Sequence, residues 1–181
     1  EGERWLAMVE RLTGGTAGGK KVIGPDKTLN NGDVIDIGDT SFRIHHTGPA
    51  HTDNDIMIEV VDQKALFTGD VVRNGALGLM ESDASFKGNI AAIDWMVEKK
   101  FKHYIPGHGR AGGIEIVQAY RAYLDKLLTT VKRLYAENLS DHEMKPAVLQ
   151  AVSAYKDWAG FELVLGPHVS RAYLEVEVEA F

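Results

Sequence analysis

The sequence contains no cysteine among its 181 residues. This absence excludes a disulfide framework and removes the thiolate from the available metal ligands, and it is compatible with either the cytoplasm or the periplasm. No apolar stretch approaches the roughly 20 residues of a membrane span, so we expect a soluble protein with no membrane partner. Basic residues are few, with 20 Lys and Arg against 26 Asp and Glu. The resulting net charge of -6 argues against nucleic-acid binding, which needs clustered Lys and Arg.

The composition is otherwise that of an ordinary globular chain, with 44% hydrophobic and 25% charged residues. A length of 181 residues suits one domain with its own hydrophobic core. The chain starts at Glu1 without a methionine and without a signal-like apolar segment. We therefore expect that a leader or a larger upstream segment precedes it; the alternative is a trimmed and renumbered chain.

The pattern of apolar residues divides the chain into three segments. Residues 1–21 predict a helix, from the spacing of Trp5, Met8, Val9 and Leu12, followed by a Gly-rich linker. Residues 22–136 predict short strands up to position 68, a crossover helix, a strand over 103–105 and a long amphipathic helix over 114–136. Residues 137–181 predict a helical C-terminal extension. This order predicts a layered α/β protein.

Local signals mark helix boundaries in the second half of the chain. Asn89 is a candidate N-cap for the crossover helix, and Ser140 opens a capping box with Glu143. Pro167 is a candidate first residue of a last helix. The alternation Val-Glu-Val-Glu over 176–179 is instead typical of a strand, so the pattern of the tail is ambiguous.

Three residues with metal-ligating side chains follow or end apolar, strand-like runs. His51 lies in TGPAHTDND (residues 47–55), Asp70 ends LFTGD (66–70), and His108 lies in IPGHG (105–109). Imidazole and carboxylate are ligands for zinc, iron and manganese. A carboxylate can also bridge two cations, which lower the pKa of a shared water toward neutrality and make hydroxide available as a nucleophile. The three residues therefore indicate a metal site.

Each of these residues also has a structural interpretation. Taken singly, His51 and Asp70 are more typical of turns or caps, whereas His108 between two glycines is harder to explain without a function. Their occurrence together and in this order favours the metal site. His45 and His46 are adjacent on one strand and face opposite sides, so one could line the site, although we expect packing or surface roles for both. We expect structural roles for the remaining histidines, His103, His142 and His168.

The ordered runs around His51, Asp70 and His108 resemble the third, fourth and fifth motifs of the metallo-β-lactamase superfamily, over roughly residues 22–110. Within it, the sequence resembles the glyoxalase II-like hydrolases and the quinoprotein relay-type zinc metallohydrolases. The resemblance implies that His51 is a ligand of a first metal ion, that His108 is a ligand of a second, and that Asp70 bridges both. It implies two Zn2+ ions in a complete site, with iron or manganese as alternatives. Asp70 stands where many zinc β-lactamases have cysteine, which disfavours antibiotic hydrolysis.

The first motif of that superfamily, His-x-His-x-Asp-His, does not occur in this sequence. The resemblance therefore implies the C-terminal half of a four-layer αββα sandwich with a helical C-terminal extension. The implied activity is hydrolysis of an ester, thioester or amide carbonyl of a small-molecule substrate by metal-bound hydroxide, with this fragment inactive alone. The alternative is a non-catalytic scaffold or binding module that retains the fold.

Half of a sandwich leaves one apolar sheet face uncovered, and an exposed apolar face favours association. We therefore expect the chain to self-associate or to pair with a missing N-terminal half. Three ligands also leave coordination positions open, so we expect weak metal binding by this chain alone.

Overall fold

The structure is a computed structural model that describes residues 2–16, 19, 21–80 and 82–180. The predicted Gly-rich linker includes residues 17, 18 and 20, which lie outside the described residues. No helix in the described part of the chain is long and apolar enough to cross a membrane. The described residues form a mixed α/β structure, which confirms the predicted fold class. Its elements are helix α1 (Gly2–Leu12), strands β1 (Val34–Ile37), β2 (Thr40–His45), β3 (Met57–Val60) and β4 (Ala65–Arg73), helix α2 (Phe86–Lys99), strand β5 (His103–His108), and helices α3 (Ile114–Ala136), α4 (Asp141–Ala151) and α5 (Phe161–Glu179).

The strands form one five-stranded sheet in the order β1-β2-β3-β4-β5. Strands β1 to β4 pair antiparallel with their sequence neighbours, whereas β5 pairs parallel with β4. A parallel neighbour requires a crossover connection, which α2 supplies. The predicted crossover helix is therefore confirmed, and β4, α2 and β5 form a βαβ unit. Because β4 and β5 run in the same direction, residues near their carboxyl ends meet at one edge of the sheet.

One face of the sheet is covered by helices. Leu66 in β4 and Tyr104 in β5 are paired in register and fully buried on this face. The Tyr104 hydroxyl donates a hydrogen bond to the Met96 carbonyl in α2 over 3.1 Å, and burial raises the pKa of this phenol. Helix α2 contacts α3, which in turn packs against α4 and α5. The core therefore continues from the sheet into the C-terminal helices.

The opposite face of the sheet carries exposed apolar side chains. The register places Ile58, Phe67 and Ile105 side by side on neighbouring strands. Phe67 is 45% exposed, and Ile58 and Ile105 are only partly buried. This row of three residues, called the open face below, is the kind of surface that the half-sandwich interpretation predicts.

Helix α2 starts earlier than the sequence predicts. Its N-cap is Ser85 and not Asn89, because the Ser85 backbone is extended (φ -132°, ψ 121°) and its hydroxyl accepts a hydrogen bond from the Gly88 amide. Asn89 lies inside the helix and is fully buried. The Ser85 hydroxyl also donates to Glu175 in α5 over 2.9 Å. The start of α2 is therefore fixed by a contact from a distant part of the chain, which local sequence does not reveal.

The last helix also starts earlier than predicted. Helix α5 begins at Phe161, directly after Gly160 in the left-handed region (φ 82°), and Pro167 lies inside it. Proline removes the amide that would bond to the carbonyl four residues earlier, on Leu163. Leu163 is 76% exposed, so this part of the helix faces solvent.

The end of α5 is helical and not a strand. Val176 is buried, whereas Val178 is 78% exposed. Two residues apart on a strand, both valines would have shared one face, but on a helix they point to different sides. Helix α4, by contrast, opens with the predicted capping box of Ser140 and Glu143, which is confirmed.

Candidate functional site

Asp70 lies within β4 and not at its end, because the strand continues from Ala65 to Arg73. The pairing of β4 with β5 shifts register on either side of Gly69, whose backbone is in the left-handed region (φ 54°). Such an irregularity re-aims the side chains that follow it. Strand β5 comes so close here that any side chain at Gly107 would occupy the position of Asp70 Oδ1. The glycine at position 107, directly before the candidate ligand His108, is thus required by the close approach of the two strands.

His108 is the last residue of β5, which is longer than the predicted strand over 103–105. Its carbonyl accepts a hydrogen bond from the Asn74 amide over 2.9 Å. The parallel register also pairs it with Arg73 at the end of β4. These contacts place the imidazole at the same edge of the sheet as Asp70, with Nε2 3.5 Å from Asp70 Oδ1.

His51 lies in the loop between β2 and β3. Asp55 closes this loop, since its carboxylate accepts hydrogen bonds from the Thr52 amide at 2.6 Å and the Thr52 hydroxyl at 2.9 Å. His51 Nε2 lies 3.7 Å from the other oxygen of Asp70, Oδ2. The second ring nitrogen, Nδ1, is buried without a hydrogen-bond partner among the described residues. A metal-ligating imidazole usually has such a partner, so this orienting contact is not supplied by the part of the chain that is described.

The two imidazoles approach different oxygens of one carboxylate. Two ligand atoms on the same tetrahedral zinc ion stand roughly 3.3–3.6 Å apart, and the observed separations of 3.5 and 3.7 Å are close to that range. The donors therefore fit two ions that share Asp70. Within the described residues, no group of three or more His, Cys, Asp or Glu is placed to hold a single metal ion. The arrangement is one carboxylate with an imidazole on the side of each oxygen.

Arg73 joins this cluster, although no motif in the sequence predicts its role. Its Nη2 donates to Asp70 Oδ2 over 3.0 Å. The residue is buried, and its Nε has no partner in the described part of the chain. The signal that could have identified it is an arginine directly after the apolar pair Val71 and Val72 in a strand. A buried arginine requires an acidic partner, and Asp70 precedes it by three residues in the same strand.

The cluster opens into a cleft of about 750 Å3, which is within the range of small-molecule sites. Both imidazoles and Arg73 line this cleft, together with Arg4 and Trp5 of α1. The remaining lining comes from residues 52–54, 78, 79, 82 and 83. The N-terminal helix therefore contributes to the site, which its sequence pattern did not indicate.

The other histidines lie outside the cluster. His45 Nε2 contacts Glu59 Oε2 at 2.8 Å and its ring packs on Trp95. His46 Nδ1 contacts the Asp55 carbonyl at 2.8 Å. Neither ring lines the cleft, which agrees with the expected packing or surface roles. His103 and His142 are exposed, and His168 is fully buried.

This combination of fold and site defines the chain as an α/β protein with a histidine–carboxylate centre at the carboxyl edge of two parallel strands. The sequence profile of the metallo-beta-lactamase superfamily matches residues 2–113. The chain belongs to this superfamily, and the resemblance inferred from the motifs is confirmed.

Individual relatives are similar over part of the chain. The acyl-coenzyme A thioesterases MBLAC2 of Bos taurus and Homo sapiens are 31% identical over 108 residues, which are 60% of this chain and 32% of each relative. The hydroxyacylglutathione hydrolase of Francisella tularensis subsp. novicida (strain U112) is 33% identical over 61 residues, which are 34% of this chain and 24% of the relative. The match thus spans at most about a third of the length of these curated relatives. All of them are hydrolases by name.

A solved structure shows the same fold. The metallo-beta-lactamase from Pontibacter korlensis superimposes with a TM-score of 0.51 at 23% sequence identity, covering 65% of this chain and 55% of that chain. The likeness concerns the backbone architecture and carries no information on substrate.

Proposed function

We propose that this chain carries one part of a two-metal hydrolase centre that acts on an ester, thioester or amide carbonyl. The single observation that supports this proposal is the placement of His51 and His108 on separate oxygens of Asp70. In the proposal, His51 and Asp70 Oδ2 hold one ion, and His108 and Asp70 Oδ1 hold the other. Zinc suits these donors best, with iron or manganese as alternatives. Bound metal would polarise the substrate carbonyl and lower the pKa of water.

The chain's own residues would orient the substrate and shape the cleft. Asp70 would be held in one orientation by Arg73, so that each carboxylate oxygen faces one imidazole. The cleft of about 750 Å3 would take a small molecule between α1 and the loops after β2 and β4. A thioester is the first substrate class to test, because the matched relatives include thioesterases and a hydroxyacylglutathione hydrolase.

The described residues offer each ion only two protein donors, one imidazole and one carboxylate oxygen. A structural zinc site usually has four protein ligands, and a catalytic zinc site has about three protein ligands and one open position. We therefore expect weak zinc binding and little turnover by this chain alone.

The experiment combines calorimetric zinc titration with hydrolysis assays on an acyl-coenzyme A and a hydroxyacyl-glutathione. We expect Asp70→Asn to weaken zinc binding about tenfold or more, because it removes the shared charge. The matched control is Asp83→Asn, an exposed carboxylate that lines the same cleft, which should leave zinc binding unchanged. Equal effects of the two substitutions would contradict the proposed centre. Tight binding of two ions per monomer would contradict the expectation of weak binding.

A non-catalytic scaffold or binding module is the second candidate. The observation that favours it is the ion pair between Arg73 and Asp70 at 3.0 Å, which satisfies the carboxylate without a metal ion. If wild-type protein binds no zinc, iron or manganese in the same titration, this second candidate is supported and the hydrolase proposal fails.

A further inference from the structure

The position of Arg73 depends on the loop that follows β4. Gly78 in this loop lies directly against the guanidinium group, so that a side chain at position 78 would overlap the Arg73 Cζ and both terminal nitrogens. Only glycine lets the loop cover Arg73 this closely. The loop therefore closes over the side of Arg73 and holds its Nη2 toward Asp70 Oδ2.

The same loop is held from the C-terminal part of the chain. The Leu77 amide donates to the Ala159 carbonyl over 2.8 Å, and the Ala159 amide donates to the Gly75 carbonyl over 2.9 Å. The Gly78 carbonyl accepts a hydrogen bond from His168 Nε2 in α5 over 2.6 Å. Ala159 and His168 lie beyond residues 2–113, where the superfamily profile matches. The loop that contacts Arg73 is thus held partly by residues outside the matched region.

The hydrogen bonds of His168 fix its tautomer. A carbonyl oxygen only accepts, so Nε2 must carry the proton that it shares with Gly78. Nδ1 is then an acceptor, and it lies 2.8 Å from the Tyr123 hydroxyl in α3. His168 and Tyr123 are both fully buried. Because both ring nitrogens are hydrogen-bonded, the His168 ring has one orientation, in which Nε2 donates to the Gly78 carbonyl.

We propose that His168 is a positioning residue, which acts through the Gly78 carbonyl to keep Arg73 against the Asp70 carboxylate. The chain of contacts runs from Tyr123 to His168, to Gly78, to Arg73 and to Asp70. Helix α5 is in this way coupled to the candidate centre although none of its residues lines the cleft. The consequence for zinc rests on the proposed function, whereas the effect on Arg73 does not.

The first readout is metal-free. NMR of labelled protein measures solvent exchange of the Arg73 Nε proton, which is buried in the wild type. His168→Leu introduces an apolar side chain of similar size that has no hydrogen-bond donor. We expect exchange of the Arg73 Nε proton to accelerate about tenfold or more in this variant. His168→Gln is the conservative rescue, because its amide nitrogen can donate to the Gly78 carbonyl, and it should remain near the wild-type rate.

The second readout is zinc affinity by calorimetry on the same proteins. Groups that orient a metal ligand typically contribute about 10–100-fold to affinity, so we expect weaker binding in His168→Leu and recovery in His168→Gln. Thr130→Val is the matched control, since Thr130 is a buried α3 residue whose hydroxyl bonds only to the Lys126 carbonyl among the described contacts. It removes a buried hydroxyl that does not contact the loop over Arg73, so exchange at Arg73 should not change.

An unchanged exchange rate at Arg73 in folded His168→Leu would overturn the proposal. If His168→Leu does not fold, Tyr123→Phe is the deciding variant, because it removes the hydrogen bond that orients the His168 ring. Faster exchange at Arg73 in this variant supports the proposal, and an unchanged rate overturns it. If wild-type protein binds no zinc, the proposed function fails, and the exchange measurement still tests the positioning role by itself.

Discussion

The carboxylate of Asp70 is shared by three cationic or potentially ligating groups. Arg73 and His51 lie on the side of Oδ2, at 3.0 and 3.7 Å, and His108 lies on the side of Oδ1, at 3.5 Å. The ion pair to Arg73 orients Asp70 from the side of Oδ2, the oxygen that faces His51.

At the residue scale, His168 predicts a pH dependence of stability. Burial lowers the pKa of His168 to about 4, below the roughly 6.5 of an unfolded histidine. Electrostatic interaction with His51 and Arg73 adds to this lowering of the His168 pKa, while the bond to Gly78 opposes it. Tyr123 faces Nδ1 as a neutral phenol whose pKa is raised by burial. Since the unfolded chain binds more protons between these values, the stabilisation is complete above about pH 6.5 and is lost as the pH falls toward 4.

The expected loss is about 3 kcal/mol over this interval, from about 1.4 kcal/mol per pKa unit. Urea unfolding at a series of pH values measures it. His168→Gln has no titrating group at this position, so its stability should fall less between pH 6.5 and 4. Parallel profiles of the two proteins would contradict the assignment of this pH dependence to His168.

The residues of the site were unequally predictable. His51, Asp70 and His108 could be predicted as candidate ligands because each lies in a short run with small residues in or beside a strand, which is a local signal. The contribution of Arg73 could not, because it depends on the register irregularity at Gly69 and on the approach of Gly78. His168 was correctly expected to be structural, but the two partners that give it a further role come from distant segments.

At the scale of elements, a side chain of α5 caps the N-terminus of α2. The Glu175 carboxylate accepts hydrogen bonds from the Ser85 hydroxyl and from the Phe86 and Lys87 amides, at 2.9, 2.7 and 3.0 Å. The first amides of a helix have no partner within the helix, and a carboxylate at this end also interacts favourably with the helix dipole. Because α2 is the crossover between β4 and β5, this contact supports the strands that hold Asp70 and His108.

We expect Glu175→Ala to lower the free energy of unfolding by about 2–3 kcal/mol, since it removes a charged acceptor and leaves amides unpaired. Chemical denaturation with circular dichroism measures this change. The matched control is Glu179→Ala, one turn further along α5, which removes ion pairs to Lys87 and Lys132 near the surface. Exposed ion pairs contribute at most about 1 kcal/mol, so a loss as large as that of Glu175→Ala would argue against the capping role.

The elements themselves were largely predictable, because their apolar spacing is local. The order of strands and helices and the βαβ unit follow from periodicities of 2 and 3.6 residues. The errors lie at boundaries that depend on other segments. Ser85 caps α2 with the help of Glu175, and Pro167 lies inside α5 on an exposed part of that helix.

At the scale of the whole molecule, the open face is a partly exposed apolar surface of the sheet. Helices cover one side of the sheet, whereas Ile58, Phe67 and Ile105 form an apolar row on the other. Burial of such a row against another chain would remove apolar area from water, at about 25 cal/mol per Å2. Self-association through the open face therefore stays a prediction of the half-sandwich interpretation.

We expect the wild-type chain to sediment as a dimer or larger species at micromolar concentration, and Phe67→Glu to shift it to a monomer. The control is Leu163→Glu on the exposed side of α5, which should leave the association state unchanged. Analytical ultracentrifugation distinguishes the outcomes. A wild-type protein that sediments as a single monomeric species would refute the prediction.

The sequence by itself determined the α/β order, because apolar periodicity is local. It also determined the superfamily and three candidate ligands, because these depend on short motifs in or beside predicted strands. The tertiary structure decided how the ligands are arranged: two imidazoles on separate oxygens of Asp70, with Arg73 beside them. It also decided that α5 holds the loop over Arg73 through His168. These features depend on contacts between residues far apart in the chain, such as the bond from His168 to Gly78, and no local pattern records which distant segments will meet.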